Sequence, residues 1–84
     1  MPTISVFYGI VIMMHLSEKE HNPPHIHASY GGFTTTFSII DGTQGKSRFP
    51  NRASTMVREF IELNKKELLE MWETQKYRKL KGLD

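Results

Sequence analysis

Three of the four histidines in this 84-residue chain fall in one short run, His21-Asn22-Pro23-Pro24-His25-Ile26-His27. Imidazole takes and gives protons near neutral pH, and it is a common ligand of first-row transition metals. Two chemistries follow from that residue type and spacing. In the first, His25 and His27 act as general base and general acid on a phosphodiester, with no metal required. In the second, His21, His25 and His27, joined by His15, offer ring nitrogens to a divalent transition metal such as zinc. A third reading involves no chemistry: the stiff Pro-Pro loop is a recognition element for a protein or nucleic acid, and the histidines bond to backbone and water.

The prolines decide how the histidines are delivered. Two adjacent prolines fix φ and withdraw two backbone donors, so positions 21–24 read as an extended loop with a strand beginning at His25. Side chains alternate along a strand, which puts His25 and His27 on one face. Tyr30-Gly31-Gly32-Phe33 is a two-residue hairpin signal, because both glycines accept positive φ. That turn sets a register. Tyr30 opposes Phe33, Ala28 opposes Thr35 and Ile26 opposes Phe37 on a mostly apolar face. His25 with Ser38, His27 with Thr36, and Ser29 with Thr34 form the polar one, which makes His21, Thr36 and Ser38 supporting groups.

Asp41-Gly42 marks a second turn. With Gly42 as the left-handed residue of a three-residue loop, Ile39 pairs with Thr43, and Phe33 meets Phe49. Lys46 and Arg48 then land opposite Thr36 and Thr34, on the histidine face. There they would hold phosphate and stabilise charge developing in a transition state, with Arg52 adding a third cation.

The remaining elements frame this face. Thr3 to His15 is rich in β-branched and aromatic residues and apolar on both sides, which predicts one long strand, either central and covered on both sides or at a subunit contact, with a bulge or a close backbone approach at Gly9. So long an apolar strand in so short a chain points to a homodimer. Strands are expected at 3–15, 25–30, 33–40 and 43–49. Pro50 ends the sheet. Ala53, Met56, Val57, Phe60 and Ile61 recur at helical spacing, predicting a helix over 51–63. Asn64, with Glu67 three residues on, reads as a stop and a new cap before a second helix over 65–79 that carries Leu68, Leu69 and Trp72. The expectation is a single α+β domain over 1–84: a small antiparallel sheet followed by two C-terminal helices packed on one face.

Composition narrows the function classes. With no cysteine, disulfides and thiolate metal sites are excluded. The apolar run Val6–Met14 is too short to span a membrane and lacks the flanks of a signal peptide, so a cytoplasmic protein without membrane attachment is expected. The net charge of +2 is unevenly distributed. The segment up to Gly42 is acidic, and everything from Thr43 onward is basic, which favours RNA or an acidic partner.

Several stretches together resemble a family of small bacterial proteins grouped as a domain of unknown function. They are Pro2-Thr3-Ile4-Ser5, Gly9-Ile10-Val11-Ile12, the His-Asn-Pro-Pro-His-Ile-His-Ala run at 21–28, Pro50-Asn51-Arg52-Ala53, and Glu67-Leu68-Leu69-Glu70-Met71-Trp72. The likeness covers nearly the whole chain, and its histidine motif is quite specific. It implies a gene encoded beside a second small gene, as in a toxin–antitoxin-type pair, and therefore a cognate small antitoxin-like partner. The chain departs from that pattern at Val6 and Met13, where the resemblance leads one to expect basic residues. Taken together, residues and resemblance predict a metal-independent ribonuclease-type toxin, with a histidine-rich metal module or a non-catalytic binding protein as alternatives.

Overall fold

The computed structural model describes residues 1–15 and 23–84. Four antiparallel strands lie in sequence order: β1 (Thr3–Phe7), β2 (Ile10–Met13), β3 (His25–Tyr30) and β4 (Phe33–Ser38). One helix, α1 (Asn51–Thr74), follows. The class is α+β, as the periodicity predicts.

The long first strand is not one strand. It is a hairpin, because Tyr8 and Gly9 both take positive φ (50° and 79°) between the paired residues Phe7 and Ile10. Two consecutive left-handed residues are the requirement of a type I′ turn, whose twist matches that of the flanking strands. The turn also explains why the segment looks apolar on both sides. Ile4, Phe7, Ile10, Ile12 and Met14 are buried, whereas Val6, on the other face, is 57 % exposed.

The expected strand over 43–49 is a single bridge, Phe37 with Gln44. The loop after β4 has four residues rather than three. Ser38 N–H donates to the Thr43 carbonyl, Gly42 N–H donates back to Ser38, and Gly45 N–H donates to Thr36. Gly42 does take the left-handed conformation, at φ 75°. The register is therefore shifted by one residue, and Thr36 meets Gly45 instead of Lys46. Gly45 packs so tightly that a Cβ there would lie 2.6 Å from Thr36 Oγ1. Beyond it the chain bends through Lys46-Ser47 and leaves the sheet.

The two expected helices are one, kinked at Asn64 (φ −119°, ψ 18°). The Asn64 side-chain amide donates to the Phe60 carbonyl at 2.9 Å, entering the ladder one turn back, which bends a helix without ending it. The helix stops at Thr74, where Gln75 turns left-handed (φ 60°) and its N–H caps Met71. The basic stretch after it is thus outside the helix. It runs back to β1, where Leu80 N–H donates to the Ile4 carbonyl at 2.8 Å and Gly82 sits against Phe7.

One face of the sheet and the apolar stripe of α1 enclose the core. Phe7 stacks on Phe60 with ring centroids 5.0 Å apart, and Phe37 meets Phe49 edge-on at 5.7 Å. Each such ring, once fully buried, contributes about 1.5–3 kcal/mol. Polar groups of α1 fasten the loop after β4 as well: Lys65 Nζ donates to the Ile40 carbonyl at 2.7 Å and Arg58 Nε to that of Gly42 at 3.4 Å. Among the described residues, no helix is long and apolar enough to cross a membrane.

Candidate functional site

The second face of the sheet carries the histidines. The β3–β4 register is the one the Gly-Gly turn dictates: His25 opposes Ser38, His27 opposes Thr36, and Ser29 opposes Thr34. On the other side of β3, Met13 pairs with His27 and Val11 with Ser29. Each cross-strand row therefore runs from an apolar residue on β2, through His27 or Ser29 on β3, to a threonine on β4.

Proline chemistry fixes the first histidine. Pro24 has no N–H, but its carbonyl accepts from Ile39 N–H at 2.9 Å, which holds the start of β3 against the end of β4. His25 Nδ1 lies 3.0 Å from the Pro23 carbonyl oxygen. A carbonyl only accepts, so Nδ1 carries the hydrogen, and the neutral ring then has its lone pair on Nε2. The His25 ring also lies 5.0 Å from the indole of Trp72, a side chain only 2 % exposed. The helix core thereby backs the imidazole.

The rings gather. His25 and His27 have centroids 5.3 Å apart, and His15, just past β2, lies 6.4 Å from His27. All three are half-buried. Two adjoining clefts open beside them. One, of about 330 Å³, is lined by Pro23, His25, Thr36, Ser38, Thr43, Gln44 and Gly45. The other, of about 240 Å³, is lined by His27, Thr34, Thr35, Thr36, Gly45, Lys46 and Ser47. Thr36 and Gly45 form their common wall.

The expected site residues divide accordingly. His25, His27, Thr36 and Lys46 come together. Ser38 lines the first cleft, but its Oγ is engaged by the following loop, accepting from Ile40 N–H at 3.2 Å. Arg48 is exposed and lines neither cleft. Arg52 lines a separate cleft with Tyr8, Tyr30 and Met56. The change of partner for Thr36 explains part of this division, because the chain leaves the sheet before Arg48 can pair. His21 lies outside the described residues. Among those residues no group of three or more His, Asp or Glu side chains is placed to hold a metal ion, so the metal set expected from the sequence depends on His21.

Sequence reasoning missed three contributors. Gly45 is where the chain approaches Thr36 most closely, and its small size was the available signal. Gln44 lines the first cleft and also accepts from Ser54 Oγ at 2.9 Å, tying that wall to α1. Trp72 lies too far along the chain for any local pattern to place it beside His25.

Electrostatically, Asp41 is held by its own loop near this end of the sheet. A hydrogen bond from the Thr43 hydroxyl, then one from Thr43 N–H at 2.9 Å, holds its carboxyl below the ordinary value of 3.8. It stays charged and fixes the loop that carries the wall of the first cleft.

The model of the family described as Domain of unknown function (DUF4160) matches residues 9–73, and the chain belongs to that family. The matched span holds the histidine face, the clefts and nearly all of α1, while β1 and Leu80 lie outside it. No curated protein and no solved structure matches the chain.

Proposed function

We propose that this member of the family is a metal-independent ribonuclease and the toxin-type half of a two-protein pair. The observation that carries the reading is the bond between His25 Nδ1 and the Pro23 carbonyl. It fixes a tautomer whose Nε2 is a base, with a second imidazole 5.3 Å away, centroid to centroid. In the reaction, His25 Nε2 takes the proton of a ribose 2′-hydroxyl, and the 2′-oxygen forms a bond to phosphorus. The bond from phosphorus to the 5′-oxygen breaks, and His27 gives that oxygen its proton. The products are a 2′,3′-cyclic phosphate and a 5′-hydroxyl. Lys46, with the hydroxyls of Thr34 and Thr36, stabilises the charge on the non-bridging oxygens. The toxin-type role and the antitoxin-like partner rest on the family resemblance of the histidine motif.

The test is cleavage of single-stranded RNA in the presence of a chelator, with the ends of the products analysed. His25→Ala and His27→Ala should each lower the rate by about 10²–10⁴-fold. Because one ring must be neutral and the other protonated, the rate should be bell-shaped in pH. Undiminished cleavage in both variants would sink the proposal.

A second reading is a metal-binding module, supported by three imidazoles on one face with centroids 5.3 and 6.4 Å apart. His21 would complete it, and the family resemblance is equally compatible with it. Elemental mass spectrometry of untagged, chelator-free protein decides between the two. Near-stoichiometric zinc, nickel or iron that disappears in His25→Ala would replace the ribonuclease reading.

A further inference from the structure

The face that carries the histidines is wider than the catalytic pair needs, and its composition changes across the sheet. Its first row is Val6, Val11, Ser29 and Thr34; the next holds Thr3, Met13, His27 and Thr36; the third pairs His25 with Ser38. Read across the strands, the apolar groups are Val6 on β1 and Val11 and Met13 on β2, the imidazoles lie on β3, and β4 carries hydroxyls alone, with Lys46 beyond them. None of the described residues in these rows is a carboxylate. Val6 is 57 % exposed, and Val11 and Met13 are half-buried, so this strip is not part of the core.

We infer that the open sheet face is a track for single-stranded RNA, with its backbone along β4 and Lys46 and its bases laid over Val6, Val11 and Met13. The inference rests on the ribonuclease reading for the choice of RNA. The dimensions suit it. From β2 to β4 is two strand spacings, about 10 Å, comparable to the span from a backbone phosphate to the outer edge of its own base, so a base covers Val11 and Met13 and meets Val6, one strand further, at its outer rim. The imidazoles then lie between the two, under the ribose, where the 2′-hydroxyl is. Charge complements the assignment: a phosphate meets Lys46 and neutral hydroxyl donors, and no carboxylate from these rows.

Shape selects the single strand over the duplex. Bases can lie on an apolar strip only when they are unpaired and splayed from the stack. An A-form helix turns its base edges into grooves and also holds the 2′-oxygen off the line of the scissile bond, whereas in-line displacement needs the attacking and leaving oxygens opposed across phosphorus. Valine and methionine offer surface without a directional hydrogen-bonding code, so the track tolerates many sequences.

The experiment measures fluorescence anisotropy with a 2′-O-methyl oligonucleotide, which cannot undergo the cyclising cleavage, as a single strand and annealed to its complement. The single strand should bind at least about tenfold more tightly than the duplex, and Val6→Glu and Val11→Glu should each weaken it by about tenfold. Val11→Phe, which enlarges the stacking surface, should tighten binding by about threefold. Lys46→Ala should reduce the salt dependence by about one phosphate contact. Equal binding of the duplex, or indifference to both glutamate variants, overturns the track. Thermal melts confirm that the variants are folded, and Val11→Phe reads the same surface with the opposite sign. The two proposals fail separately. Binding with these dependences but no cleavage of unmodified RNA leaves the track standing and removes the catalysis. Cleavage lost in His25→Ala but unchanged in the valine variants does the reverse.

Discussion

One face of the sheet buries Phe7, Ile12, Ile26 and Phe37 beneath α1, while the other presents Val6, Val11, His27 and Thr36 at half or full exposure. Both faces come from the same strands, separated only by alternation. The difference lies in what each row meets. On the buried face, large rings from the sheet interlock with Phe60 and Phe49, so removing one leaves a cavity. On the open face, hydroxyls, imidazoles and small apolar groups meet water or a ligand, and removal costs little packing. Most of the packing therefore lies on one side of the layer and the residues proposed for catalysis on the other, with His25 reaching the core through Trp72.

That division can be broken or sharpened by substitution. The largest effect on folding is expected at Phe60→Ala, which empties the partner of Phe7 and should cost about 3–5 kcal/mol in urea unfolding. Cleavage by the remaining folded fraction should be normal. Next comes the tail. Gly82→Val must push the segment away from Phe7, whose Cβ would already lie 2.6 Å from an added Cβ, and should cost about 1–3 kcal/mol by the same measurement. On the open face, His25→Ala should cost only about 1 kcal/mol, mainly its ring contact with Trp72, while nearly abolishing cleavage. If unfolding shows His25→Ala to be as damaging as Phe60→Ala, the separation of the two faces is wrong.

The smallest effect concerns Asp41. Its folded-state value is lowered, so its contribution to stability is complete above the unfolded value and is lost as pH falls through the folded one. Below about pH 4, the wild type should therefore lose stability more steeply than Asp41→Asn, and the two curves should run parallel above about pH 5. Denaturation midpoints across that range check it. Parallel curves throughout would mean that the Thr43 bonds do not hold the charge.

How far the sequence revealed this arrangement varies by element. The β3–β4 register was legible in full, because Gly31-Gly32 admits one turn and a slip of one residue would put Ile26 and Phe37 in water. The β1–β2 hairpin was not. Tyrosine is an unusual first residue for a type I′ turn, and the apolar residues on either side of Tyr8-Gly9 conceal the reversal of direction. Asn64 reads in the sequence as a stop between two helices, whereas it is a kink within one. Whether it ends or bends the helix depends on its amide reaching Phe60, a contact that no propensity states. The histidine face followed from alternation alone, and Thr36 came with it. Lys46 lines the same cleft, but from the bend after Gly45 rather than from a strand position opposite Thr36. Arg48 does not, since its placement depended on extending the sheet through a segment in which Gly45 and the bend at Lys46-Ser47 end the pairing, and Arg52, at the start of α1, lines a different cleft.

The bond from Leu80 N–H to the Ile4 carbonyl has a consequence for association between molecules. β1 is an outer strand of the sheet, and a bare strand edge is the kind that recruits strands from other molecules. By occupying a backbone carbonyl on that edge, the segment after α1 leaves less of it open to aggregation.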